Sequence, residues 1–143
     1  MSIKFGRSTP ILRVTDMGRS VEYFIRVLGF EREWGDQVFA SLRRGEAVLM
    51  LAAGDQGRGG AWLYVGVEDV DTLCEEIQPR GAVIRLGPAN YPWGARELHV
   101  EDPDGNVIRF GSGATDGPIG EWLDDQGVRW IHSLESGWTR RRE

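Results

Sequence analysis

The chain has little sulfur and little imidazole. One cysteine, Cys74, stands among 143 residues, so no internal disulfide can form, which fits a reducing cytoplasm. Two histidines, His99 and His132, are all there are, and neither has an evident nucleophile partner from which a Ser-His-Asp relay could be built. No run of 18 apolar residues occurs and residues 1–20 lack the apolar centre of a signal peptide, so no membrane span or secretory leader is expected. Basic residues are outnumbered, 17 to 22, for a net charge of −5, which argues against a protein that tracks nucleic-acid phosphates. The glycines of residues 53–60 are not followed by the Gly-Lys-Ser/Thr ending of a phosphate loop.

What the chain does have is an ordinary globular balance, 41% hydrophobic and 27% charged, at a length that supports a real core. It also has six tryptophans: Trp34, Trp62 and Trp93, then Trp122, Trp130 and Trp138 at intervals of eight residues. Residues 98–110 set the strongest pattern. Leu98 and Val100 alternate with polar neighbours, Ile108 and Phe110 alternate with Val107 and Arg109, and Asp102-Pro103-Asp104-Gly105 between them suits a type I turn. The pattern predicts a β-hairpin.

Upstream, a strand ends in Val14, Asp16 is placed to cap a helix, and Met17, Val21, Phe24 and Leu28 follow at helical spacing until Gly29. Three short strands are expected over 30–34, 38–42 and 47–52. The order then restarts. Leu63, Val65 and Val67 alternate, Asp69 caps a second helix with Val70, Leu73, Cys74 and Ile77 on one stripe, and three strands follow. Val14 to Met17 match Val67 to Val70 at an offset of 53 residues. The reading is therefore α+β: residues 1–112 as one domain of two βαβββ units, about 8–53 and 61–112, forming a cupped and largely antiparallel sheet. Residues 113–143 follow as a tryptophan-containing extension, expected to be packed because disordered segments are poor in aromatics, with Thr139 to Glu143 expected to fray.

If the apolar sets face the helices, the opposite face carries Thr9, Arg13, Trp62, Tyr64, Glu97, His99, Glu101 and Arg109. A solvated sheet face would account for the charges. Tryptophan and tyrosine on such a face are costly, which favours the wall of a binding cleft. Glu97, His99 and Glu101 sit about 6.5–7 Å apart along one face, too far for one ion to take all three, so ion pairing is the expected use. Cys74, on the helix stripe, reads as a buried packing thiol.

The segments PILRVTDMGRSVEYFIRVLGF, AWLYVGVEDVD and PWGARELHVEDPDGNVIRFG resemble the vicinal oxygen chelate superfamily of glyoxalases, extradiol dioxygenases, fosfomycin-resistance enzymes and bleomycin-resistance proteins, and the resemblance extends over roughly residues 8–112. PWGARE before DPDGN, and AW opening the second unit, look most like the bleomycin-resistance branch. That resemblance implies a dimeric binding protein, often with exchange of the N-terminal strand, without metal, cofactor or catalysis, that sequesters a planar, cationic small molecule or antibiotic. It carries Glu33, Trp34 and Phe39 over by alignment, and Trp62 and Trp93 by their AW and PWG contexts, as walls and rim of an aromatic slot, with Tyr64 and Arg109 beside them. In the superfamily's enzymes, metal ligands come from strand positions that correspond here to Thr9, Trp62 and Arg109. None is a divalent-metal ligand. A fixed cation about 4 Å from a divalent ion costs roughly 8 kcal/mol at an effective dielectric near 20. Two alternatives remain: a metal-dependent lyase or dioxygenase with other ligands, and an interaction module whose tail occupies the cleft. The open strand edge at Thr9–Val14 also leads to the expectation of a homodimer.

Overall fold

The computed structural model describes residues 2–142. They form two compact units, one of residues 2–61 with the turn 102–106, the other of residues 62–101 with 107–142.

In the first unit, β1 (Ile11–Arg13) leads to α1 (Met17–Glu22), then β2 (Glu31–Gly35), β3 (Phe39–Arg44) and β4 (Ala47–Ala52). The sheet order is β1-β4-β3-β2, with β1 parallel to β4 and the other pairs antiparallel. Asp16 caps α1 through its side chain onto the Arg19 N–H at 3.1 Å, as the sequence predicts. The expected single helix is instead α1 followed by a π-helical turn over Tyr23–Val27, in which the Leu28 N–H donates to the Tyr23 carbonyl at 3.2 Å. Phe24 and Leu28 are both fully buried across this turn. Gly29 then ends the segment at φ +76°, and a Cβ there would lie 2.7 Å from Arg44 Nη1.

The turn 102–106 is bound into this unit. Gly105 N–H donates to the Asp102 carbonyl at 3.1 Å, closing the expected type I turn. Asp104 accepts from the Thr15 hydroxyl at 2.7 Å and pairs with Arg19 at 3.5 Å. The buried Asn106 side chain donates to the Arg13 carbonyl and accepts from the Ala61 N–H. Asp102 braces the turn by accepting from Asn106, and burial pushes its carboxyl above the ordinary range despite those bonds.

The second unit repeats the first. Here β5 (Trp62–Gly66), α2 (Val70–Ile77), β6 (Val83–Asn90), β7 (Ala95–Glu101) and β8 (Val107–Gly113) give the order β5-β8-β7-β6, again with one parallel pair, β5 with β8. Asp69 caps α2 onto Asp71 and Thr72, and Val70 and Ile77 are its fully buried residues. The thiol of Cys74 is only half-buried, because α2 is short and its flank stays open; burial nonetheless pushes the thiol up.

The extension departs most from expectation. It forms a three-stranded antiparallel sheet of β9 (Trp122–Leu123), β10 (Arg129–Ser133) and β11 (Gly137–Arg140). Thr139 and Arg140, expected to fray, pair with Ile131 and Trp130 in register, and Arg141 pairs with Glu121 at 3.0 Å; Glu143 lies outside the described residues. The extension also explains why β7 is buried on both faces: Leu98 and Val100 on one side, Glu97 and His99 on the other, all 0% exposed. No helix among the described residues is long and apolar enough to cross a membrane.

Candidate functional site

The second unit concentrates its aromatic side chains on the face of β7 and β8 opposite Leu98 and Ile108. Glu97, in β7, is the centre. Arg109, its neighbour on β8, forks onto it through Nε at 2.8 Å and Nη2 at 3.0 Å. His99 Nε2 lies 2.9 Å from the same carboxylate, and the Trp93 indole N–H donates to it as well. Burial would raise this carboxyl, but the bonds from His99, Arg109 and Trp93 outweigh burial and hold it at about 2. The two carboxylates of β7 are thus engaged in ion pairs, Glu97 with Arg109 and Glu101 with Arg85 at 3.2 Å, and the imidazole is hydrogen-bonded to Glu97.

Around this centre the rings interlock. Tyr91 stacks on Trp93 at 5.1 Å and 8°. Trp122 meets Trp93, Tyr91 and His99 edge-on at 5.0–5.5 Å, and Trp138 leans on Tyr91 and Trp93. Tyr91 is buried, its hydroxyl donates to the Glu121 carbonyl at 2.8 Å, and burial with the Glu97 charge pushes it to about 12. His99 is closed in by Trp62, Tyr91 and Trp122, and its Nδ1 is the buried side-chain polar atom left without a partner among the described residues. The Arg109 guanidinium lies 5.1 Å from the Trp122 ring, 5.5 Å from Tyr64 and 5.8 Å from Trp93. Beside it, Trp93, Arg109, Trp122, Asp124, Trp130 and Trp138 line a cavity of about 500 Å³.

The structure brings together Trp62, Tyr64, Trp93 and Arg109 in the second unit. Trp62 sits partly exposed under the Arg85 guanidinium at 5.0 Å and beside Trp122, and does not line the cavity beside Arg109. Tyr64 is half-exposed and lies over Gly111, where a Cβ would come within 1.8 Å of its hydroxyl. Trp34 and Phe39 stack on each other at 5.7 Å in the first unit, with Trp34 half-exposed. Glu33 is not a free rim carboxylate: Arg43 pairs with it at 2.9 Å, Ser41 donates to it, and the Arg43 bond leads in lowering its carboxyl.

Sequence reasoning placed Glu97 on the cleft face only as an ion-pairing residue, and passed over Tyr91, Trp122, Asp124, Trp130 and Trp138 as site residues. The eight-residue tryptophan spacing was the available signal. Two short hairpins join strands spaced at about that interval: the first sets Trp122 opposite Trp130, and the second sets Trp138 opposite His132.

The donor set does not suit the divalent ion of the superfamily's enzymes. No three His, Cys, Asp or Glu gather into a candidate metal group among the described residues. Arg109 stands at one expected ligand position, and both oxygens of Glu97 are already taken.

Paired βαβββ units, each with one parallel and two antiparallel strand pairs, define the class by its topology. The chain belongs to the glyoxalase/bleomycin resistance protein/dioxygenase superfamily, whose family model matches residues 6–110. It is 28% identical to a probable lactoylglutathione lyase of Vibrio cholerae, over 70% of this chain and 85% of that one. It is also 28% identical to a bleomycin resistance protein of Geobacillus stearothermophilus, over 73% of this chain and 94% of that one. Among solved structures, the bleomycin-binding protein of Streptomyces verticillus, complexed with copper(II)-bleomycin, superposes with a TM-score of 0.67 at 28% identity, covering 79% of this chain and all of that one.

Acid should weaken the fold through the Glu97 centre. A carboxyl depressed from 4.5 to about 2 stabilises the fold fully above pH 4.5 and loses that contribution as the pH falls towards 2. The amount is roughly 3 kcal/mol. Glu97→Gln should remove this slope from urea midpoints measured between pH 5 and 2.5, and destabilise the protein at pH 7 by about 2–4 kcal/mol by stranding Arg109. An unchanged acid slope in the variant would show that Glu97 is not the group responsible.

Proposed function

We propose that this protein is a non-catalytic, homodimeric binding protein that sequesters a planar small molecule, an antibiotic of the kind its bleomycin-resistance relatives bind, in the cytoplasm. One observation carries the reading. Trp93 is half-exposed at the edge of the 500 Å³ cavity, and its orientation is fixed by stacking on Tyr91 and by its N–H bond to a buried carboxylate. A preoriented, open indole beside an aromatic-walled cavity is suited to stacking a flat ring system, and each such contact adds roughly 0.5–1.5 kcal/mol beyond area burial. The proposed slot comprises Trp93, Tyr64 and Arg109 with Trp62, and Glu33, Trp34 and Phe39, which lie in the first unit, remain proposed ligand contacts in their own right. Glu33 is a weak cation lure, since Arg43 already neutralises it.

The lyase relative keeps a second reading in view, a metal-dependent enzyme, and the donor set weighs against it. The third reading has partial support, in that the extension does cover the β7–β8 face, yet it leaves the cavity beside Trp93 open.

Titrating intrinsic tryptophan fluorescence with planar ligands, bleomycin among them, should show saturable quenching. Trp93→Ala should weaken binding by about 1–3 kcal/mol, five- to 150-fold; equal affinity in wild type and variant would put the slot elsewhere. Elemental analysis of protein purified without chelator should give well under one equivalent of Zn, Ni, Mn or Fe, and stoichiometric metal removed by EDTA together with a lyase or dioxygenase activity would sink the non-catalytic reading. Sedimentation equilibrium at micromolar concentration should report twice the 16.0 kDa chain mass, against which a clean monomer would count decisively.

A further inference from the structure

Four indoles and a carboxylate around one cavity would ordinarily suit an ammonium guest. Here that place is already filled. The Arg109 guanidinium lies over Trp122 and Trp93 at 5.1 and 5.8 Å, and its fork on Glu97 holds it there. Because this cation is tethered, it loses no translational freedom in occupying the cage, and a free cation must compete with it at short range. The carboxylate of the cavity is also engaged. Asp124 Oδ1 accepts from the backbone N–H groups of Gln126 and Val128, and Oδ2 accepts from the Trp130 indole N–H, each at 2.9 Å. The bond from Trp130, followed by that from Val128, holds this carboxyl below the ordinary range, so it stays an acceptor already in use.

Three side-chain polar groups of the lining are without a hydrogen-bond partner among the described residues: Arg109 Nη1 and the indole N–H groups of Trp122 and Trp138. All three are donors. The Arg109 side chain is 28% exposed and lines the cavity, and its fork on Glu97 uses Nε and Nη2, which leaves Nη1 for a guest.

We propose that this cavity takes flat aromatic molecules bearing acceptor oxygens, a carboxylate or a ring carbonyl, and discriminates against flat cations, with Arg109 Nη1 as the group that reads the acceptor. The proposal rests on the binding reading above and names the ligand chemistry of that site. Indole faces supply stacking without regard to charge, and the donors supply the selection. A carboxylate answering a guanidinium makes the stronger, charge-assisted bond, a neutral carbonyl the weaker one.

Three ligands on one tricyclic frame test it by calorimetry on the full-length protein: acridine-9-carboxylate, neutral acridone and the 10-methylacridinium cation. At 0.15 M salt the Debye length is about 8 Å, so the chain's net charge of −5 contributes little to the comparison. Acridine-9-carboxylate should bind at least about tenfold more tightly than 10-methylacridinium, with acridone between them. Trp138→Ala should weaken all three by about five- to thirtyfold and keep their order. Arg109→Gln vacates the cage and leaves Glu97 without its counter-ion, so the order should invert in favour of the cation, a reversal that mere loss of structure would not produce. Should Arg109→Gln fail to fold, the order on wild type and on Trp138→Ala decides. Cation binding to wild type as tight as carboxylate binding overturns the assignment and leaves sequestration standing. Affinities unmoved by Trp138→Ala place the guest outside this cavity and overturn it too. No binding by any of the three overturns both this proposal and the reading it rests on.

Discussion

A single ionised carboxylate with no exposure to solvent sets the conditions for everything around it. Glu97 stays charged only because Arg109, His99 and Trp93 all donate to it, and removing any one leaves a buried charge short of partners. Each donor is thereby fixed in place. Arg109 is pinned over three rings, Trp93 is turned to stack on Tyr91, and His99 is wedged against Trp62 and Trp122. The aromatic face is a consequence of this electrostatic centre, and the cavity is the space those fixed rings leave.

Repetition made most of the fold legible in advance. Asp16 and Asp69 cap their helices as their type and spacing suggest, and the DPDG turn closes with the expected hydrogen bond. The two sheets share one strand order. These features are local, and the sequence carries local information directly. The π turn at Tyr23–Val27 was not legible, because hydrophobic spacing tolerates one extra residue wherever tertiary packing favours it. Nor was the burial of Glu97 and His99, since period-two alternation assigns polar residues to solvent until something covers them.

That cover is the extension, and it is why the candidate site was only half readable. Trp62, Tyr64, Trp93 and Arg109 carried their own signals in strand parity and context. Trp122, Trp130 and Trp138 had only a regular interval, which shows a repeat without showing what it packs against. Arg85 makes the link plain: its guanidinium lies over Trp62, pairs with Glu101 and donates to the carbonyls of Leu123 and Asp124. No short-range pattern foretells a contact across 38 residues.

The placement of the turn 102–106 also bears on how the chain is made. The first unit draws its closing hydrogen bonds from Asp104 and Asn106, which satisfy Thr15, the Arg13 carbonyl and the Ala61 N–H. During synthesis those groups emerge long before their partners do. At about 5–20 residues per second, the nascent first half waits several seconds with these polar groups left to water. It therefore has to be finished by a segment encoded near the end of the second repeat, so a gene cut between the two halves would not yield two self-sufficient pieces.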